Sequence, residues 1–226
     1  MTTASAAPTT HIYILLDRSG SMESIASDIV GGFNRFIKDQ AEVGTDVRVT
    51  LVQFDSDDPQ EVIAASAPIS DIKRLDQTTF QPRGSTPLLD ATGRLIGRAR
   101  QNQELRAANN LDLEDVVFVT ITDGEENASS EFTLQKIRQL IETCEKDGWT
   151  FVFLSAALDA YGDAERMGMK MANIQAFDAS GHGTDLAFSS LSKNLTARRS
   201  KRASGMVVMD DDFFEDKEAE DHRKGK

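Results

Sequence analysis

Apolar residues fall along this chain in two rhythms: short unbroken runs, and longer stretches that repeat every three to four positions. Ile12-Tyr13-Ile14-Leu15-Leu16 is an unbroken run, and with no polar interruption it predicts a strand covered on both faces, as in a parallel sheet. Ile25, Ile29, Phe33 and Phe36/Ile37 recur at helical spacing and predict an amphipathic helix over residues 22–40. Gly31-Gly32 inside it lowers helix propensity, and its expected use is close packing on the sheet. Residues 47–54 read as a second strand. The turn signal Asp55-Ser56-Asp57-Asp58-Pro59 and a β-like stretch over 61–67 follow, a connection short enough to predict an antiparallel pair.

Pro87 comes next, and Leu88, Leu89, Ala91, Leu95, Ile96 and Ala99 line one broad face behind it, which predicts a helix with proline at its first position. Residues 101–112 are polar and Asn-rich and read as a loop. Val116-Val117-Phe118-Val119-Thr120-Ile121 is a second buried strand, ending in Thr122-Asp123-Gly124. Leu134, Ile137, Leu140, Ile141 and Cys144 mark a helix that Gly148 ends. A strand over 149–156, a short helix over 158–169, a short strand over 174–177 and a helix over 184–200 complete the pattern. This alternation of strand and helix predicts an α/β fold, doubly wound, with right-handed crossovers.

A chain of 226 residues supports one sizeable core. The expected division is a flexible start over 1–10, one domain over 11–200 and a charged tail over 201–226. Arg198, Arg199, Lys201 and Arg202 form a basic cluster, and Asp210-Asp211-Asp212-Phe213-Phe214-Glu215-Asp216 an acidic one. Opposite charge blocks of this kind predict a solvated end, with Phe213-Phe214 and their acidic neighbours as an alternative docking segment. Net charge is -12, which favours bound cations or basic surfaces over nucleic acid or an anionic membrane. No stretch approaches the roughly 20 apolar residues of a membrane span, and the start of the chain lacks the basic, then apolar, order of a secretory leader. A cytoplasmic protein, monomeric when free, is expected. The single cysteine, Cys144, rules out an internal disulfide and sits on an apolar helical face, where packing is its expected role.

Candidate chemistry lies at the ends of the predicted strands, where open α/β sheets gather their ligands. Asp17-Arg18-Ser19-Gly20-Ser21 puts one carboxylate and two hydroxyls into a tight turn. Gly84-Ser85-Thr86-Pro87 opens a helix with a threonine, and Thr122-Asp123-Gly124 closes the central strand with a second carboxylate. All are oxygen ligands, which suits a small hard cation and disfavours zinc or copper. This order of DxSxS, distant Thr and T-D-G resembles the metal-ion-dependent adhesion site of the von Willebrand factor A family, and the likeness is strongest to stand-alone bacterial proteins of that class.

The resemblance implies a three-layer, Rossmann-like fold, its central sheet mostly parallel with one antiparallel edge strand and helices on both faces. It implies Mg²⁺, with Mn²⁺ as substitute, held by Asp17, Ser19, Ser21, Thr86 and Asp123. The serines would coordinate directly, Thr86 directly or through water, and the two aspartates mainly through waters and hydrogen bonds to the serines. A hydroxyl-rich shell leaves such an ion electrophilic, and an Asp or Glu of a protein partner would complete its coordination. The implied role is a non-enzymatic scaffold or adaptor in a multiprotein complex.

Two other readings remain. A Mg²⁺-dependent phosphatase would use Asp17 as nucleophile, but the second Asp that haloacid-dehalogenase-type enzymes need is Ser19 here. The serine-hydrolase elbow and the P-loop are absent, and His11, His182 and His222 are poorly placed as bases. The other is metal-independent binding through the acidic surface or tail. Around the site, Arg18, Met22 and Arg83 are expected to face the partner, and Glu125-Glu126-Asn127 to line the rim. Asp55, Asp57 and Asp58 read as a polar turn.

Overall fold

The computed structural model describes residues 9–204, 206, 213–214, 216 and 218–225. Six strands form one sheet in the order β3-β2-β1-β4-β5-β6. β1 (Thr10–Asp17), β2 (Val47–Phe54), β4 (Asp115–Thr122), β5 (Thr150–Ser155) and β6 (Ile174–Ala176) run parallel, and β3 (Glu61–Pro68) is the antiparallel edge. β1 lies between β2 and β4, with Asp17 opposite Phe54 and Leu16 opposite Ile121. Every residue of β1 and β4 is buried, as unbroken apolar runs require.

Side chains alternate across the sheet. Ile12, Ile14 and Leu16 pack with α1 (Ala26–Val43) and α5 (Gly181–Ala203). Tyr13 and Leu15 pack with α2 (Leu88–Ala108), α3 (Leu134–Lys146) and α4 (Ala160–Arg166). The result is the expected α/β architecture, with helices on both faces of a mostly parallel sheet.

Several elements differ from the pattern. The first helix starts as a 3₁₀ turn, Gly20–Ile25, before α1. The glycine pair in α1 serves a helix contact rather than a sheet contact: a Cβ at Gly32 would lie 2.2 Å from the ring of Phe188 on α5, whereas one at Gly31 would meet nothing. Pro87 stands just before α2, at its N-cap, rather than in its first turn. α2 also runs two turns into the stretch read as a loop, because its polar residues find fixed partners there. Asn102 donates to the Tyr13 hydroxyl at 2.9 Å, Gln103 pairs with the backbone of Glu114, and Arg106 donates to the Asp112 carbonyl.

The end of the chain departs furthest from the expectation of a solvated charge block. Arg198 and Arg202 lie on α5 and reach Asp115 at 2.7 and 3.0 Å. Arg199 reaches Asp46 at 2.6 Å and the Gln40 carbonyl at 2.9 Å. These cations fasten α5 to the end of the sheet where β2 and β4 begin. Phe213 and Phe214 are buried in the same apolar core as Phe177 and Leu191, and α6 (Glu218–Lys224) follows along the β6 edge, burying Ala219 and Glu220. Glu220 accepts from the Tyr161 hydroxyl and from the Ala176 N–H, which β6 would otherwise leave open. Arg223 donates to the Ala157 and Leu158 carbonyls. Asp210, Asp211, Asp212 and Glu215, like residues 1–8 of the expected flexible start, lie outside the described residues; Thr10 is already part of β1.

Candidate metal centre

Parallel strands deliver their ends to one rim of the sheet, and the adjacent pair β1 and β4 deliver Asp17 and Thr122-Asp123 side by side. Asp17 is fully buried. Its Oδ1 accepts from the Ser19 N–H at 2.7 Å, which tightens the turn, and its Oδ2 accepts from the Thr122 hydroxyl at 2.5 Å. The Ser19 and Ser21 hydroxyls are 3.0 Å apart, and Ser21 donates to Asp123 Oδ1 at 2.6 Å. Four of the five predicted ligands thus form one hydrogen-bonded cluster.

Thr86 arrives from the segment that leads into α2, and Asn127 holds it there. The Thr86 N–H donates to Asn127 Oδ1 at 2.9 Å, and the Asn127 N–H donates to the Thr86 carbonyl at 3.2 Å. Gly124 shows how close Thr86 comes to the others. A Cβ built there would lie 3.2 Å from both the Ser21 and Thr86 hydroxyls and 3.9 Å from Asp17 Oδ2. Three oxygens from two segments, the Asp17–Ser21 turn and the Thr86 approach, therefore surround a spot on a third that only glycine leaves clear. The donor set is hydroxyl and carboxylate, as a hard cation prefers; among the described residues no group of three or more His, Cys, Asp or Glu side chains is arranged to hold a metal.

Burial pushes the Asp17 carboxyl up to about 6, against the Thr122 and Ser19 hydrogen bonds, and the neighbouring Asp123 carboxylate adds to the rise. Burial also raises Asp123, against the hydrogen bond from Ser21. Both shifts arise from taking carboxylates out of water, and a nearby positive charge acts in the opposite direction.

The flanking residues are used differently from expectation. Met22 is fully buried in the core, and Arg18 is 4% exposed and paired with Asp55 and Glu61, each at 2.6 Å. Neither is open to solvent. Arg83 is half-exposed and also paired with Asp55. On the rim, Glu125 is exposed, whereas Glu126 accepts from the N–H groups of Leu89, Ala128 and Ser129. Glu126 and Asn127 are therefore supports for the start of α2. Two contributors carried no role in the sequence reading. Thr122 was legible only as part of a strand end, although its place beside Asp123 on a buried strand is the signal. Asp90, in the first turn of α2, accepts from the N–H groups of Ser130, Glu131 and Phe132, and nothing in the local sequence pairs those segments.

A profile of the von Willebrand factor type A domain matches residues 11–182. The chain belongs to that family, whose domains are a type of protein-interaction module. No curated protein sequence matches it. Among solved structures it is similar to the pilus adhesin SpaC of Lactobacillus rhamnosus GG in an open conformation, with TM-score 0.61 and 14% identity over 86% of this chain and 31% of that one. Proximal thread matrix protein 1 of the mussel byssus gives TM-score 0.57 and 16% identity over 83% of this chain and 46% of the other. The manganese-loaded TRAP protein of Plasmodium vivax gives TM-score 0.52 and 11% identity over 77% and 70%. The chain spans less than half the length of the first two, and at these identities the likeness is one of fold.

Proposed function

We propose that this chain is a non-enzymatic, cytoplasmic protein-interaction module that binds Mg²⁺, or Mn²⁺ in its place, through Asp17, Ser19, Ser21, Thr86 and Asp123, and captures an Asp or Glu of a protein partner as a scaffold or adaptor. The observation that carries this reading is the convergence of the Ser21, Thr86 and Asp17 oxygens on the side-chain-free face of Gly124. A bound Mg²⁺ supplies a Lewis-acidic centre with a position for an incoming carboxylate. Ser19, Ser21 and Thr86 contribute neutral hydroxyls, which leave the charge of the site unquenched. Asp17 and Asp123 accept hydrogen bonds from neighbouring hydroxyls and so aim oxygen lone pairs inward. A related fold is known in manganese-loaded form, in keeping with the same choice of ion here.

The surroundings favour binding over catalysis. A phosphatase built on Asp17 needs a second carboxylate two residues on as general acid, and Ser19 stands there. His11 is buried between Glu114 at 2.6 Å and Thr50 at 2.9 Å, and His182 and His222 stack edge to face on each other. None of the three forms a base–nucleophile pair with the cluster. No described helix is long and apolar enough to cross a membrane, and the net charge of -12 argues against a nucleic-acid partner.

Calorimetric titration of Mg²⁺ and Mn²⁺ into the wild type and Asp123→Ala tests the metal, and capture from the source lysate in Mg²⁺ against EDTA tests the partner. Saturable binding that Asp123→Ala abolishes, with a protein retained only in Mg²⁺, is the expected result. Equal retention in both buffers and in the variant would instead point to the acidic surface.

A further inference from the structure

Three loops meet at the site, and one carboxylate joins them. Asp55 opens the turn between β2 and β3 and is fully buried. Its Oδ1 accepts from the N–H groups of Asp57 at 2.7 Å and Asp58 at 2.9 Å, which fixes the turn. Its Oδ2 accepts from Arg18 Nε at 2.8 Å and from Arg83 Nε at 3.0 Å. Arg18 stands between Asp17 and Ser19; Arg83 stands three positions before Thr86. Glu61 closes the group, 2.6 Å from Arg18 and 3.8 Å from Arg83. The backbone repeats the link: Arg83 N–H donates to the Arg18 carbonyl at 2.9 Å, and Gly20 N–H to the Gly84 carbonyl at 3.1 Å. Ser85 N–H donates to the Ser56 hydroxyl at 2.9 Å, beneath Gly84, whose φ of +65° a side chain would strain.

We infer that the Arg18–Asp55–Arg83 clasp is a positioning device that holds the Thr86 segment against the Asp17–Ser21 turn and thereby sets the affinity of the site for its divalent cation. The inference rests on the proposed metal site. Residues 72–87 contain no helix or strand, so Thr86 arrives on irregular chain that must be tethered from outside. A metal ligand has to be held to within about 0.5 Å of its working place. A buried ion pair adds little net stability over apolar side chains of the same volume. What a two-armed carboxylate does add is registry between the segments its arms come from, and here those segments carry Ser19, Ser21 and Thr86.

The test is Mn²⁺ binding, followed by the electron spin resonance of the free ion, in the wild type, Asp55→Asn, Arg83→Ala, Arg83→Lys and a control, Asp115→Asn. The control breaks a buried ion pair at the opposite end of the sheet. Outer-shell partners of metal ligands are typically worth about 10–100-fold in affinity. Asp55→Asn is expected to weaken Mn²⁺ in that range and Arg83→Ala by about tenfold, with Arg83→Lys partly restoring it, while Asp115→Asn lowers the melting temperature and leaves affinity unchanged. Arg83 is half-exposed, so Arg83→Ala keeps the test open if Asp55→Asn does not fold. Wild-type affinity in both clasp variants, or an equal loss in Asp115→Asn, overturns the clasp while leaving the metal site standing. Absence of Mn²⁺ binding by the wild type overturns the metal site itself, and the clasp with it.

Discussion

Gly124 and Asp90 show how single residues shape the site from opposite directions, one by lacking atoms and the other by collecting hydrogen bonds. A methyl group at Gly124 would sit 3.2 Å from two of the candidate ligand hydroxyls, tighter than a relaxed contact, and would fill the cradle. Gly124→Ala should therefore weaken Mg²⁺ binding at least tenfold with little change in the metal-free melting temperature, as calorimetry and thermal denaturation would read; undiminished binding would show that the oxygens converge elsewhere. Asp90 acts through stability. Burial pushes its carboxyl up, but the N–H groups of Ser130, Phe132 and Glu131, with Arg94 nearby, outweigh it and hold the carboxyl below its ordinary value. A depressed native value means that the ionised form stabilises the fold, in full above the ordinary carboxylate range, and that this contribution is lost as pH falls through the native value. Asp90→Asn should cost about 2 kcal/mol at pH 7, with the deficit shrinking in acid; a constant deficit in urea melts across pH would contradict this. The five candidate residues could be picked out from the sequence because each of them sits in a local motif. Arg18 and Met22 were misread because their burial depends on Asp55, Glu61 and the core, partners that lie far along the chain.

Elements obey the same division between local and distant causes. The apolar runs of β1 and β4 announce themselves, since burial on both faces leaves no room for a polar residue. The last two turns of α2 do not, because their stability comes from Tyr13, Ser66 and Glu114 rather than from an apolar stripe. Gly31 and Gly32 look alike in sequence and differ in structure. Gly32 lets α1 approach Phe188 on α5, so Gly32→Ala should destabilise by about 1–3 kcal/mol through overpacking. Gly31 faces open space, and Gly31→Ala should be neutral or stabilise by up to about 1 kcal/mol through helix propensity. Chemical denaturation of the pair decides this, and equal effects would mean that the helix contact is looser than described.

At the scale of the whole molecule, the doubly wound order could be read from strand–helix alternation, whereas the packing of the C-terminal segment could not, because its charge masks two buried aromatics. Phe214 is 4% exposed, and Phe214→Ala should lose about 3 kcal/mol; a loss under 0.5 kcal/mol by thermal melting would mean the segment is not part of the core. That segment also fixes the traffic of the chain. Thr9 and Thr10 pair with Asp115 and Asp46 where the parallel strands begin, while Arg223 fastens α6 to Ala157 and Leu158, one step past the Ala156 N–H that bonds the Thr122 carbonyl. Thr9 therefore stands at the pole where the strands begin, away from Asp17 and Asp123, whereas Arg223 reaches the loop that follows β5, on the side of the sheet where Asp17 and Asp123 lie. A fluorescent label or immobilising linker placed on Thr9 stays clear of the rim that carries Asp17 and Asp123. The same attachment on Lys224 sits at the rim end of the sheet instead, next to the residue that holds Ala157 and Leu158.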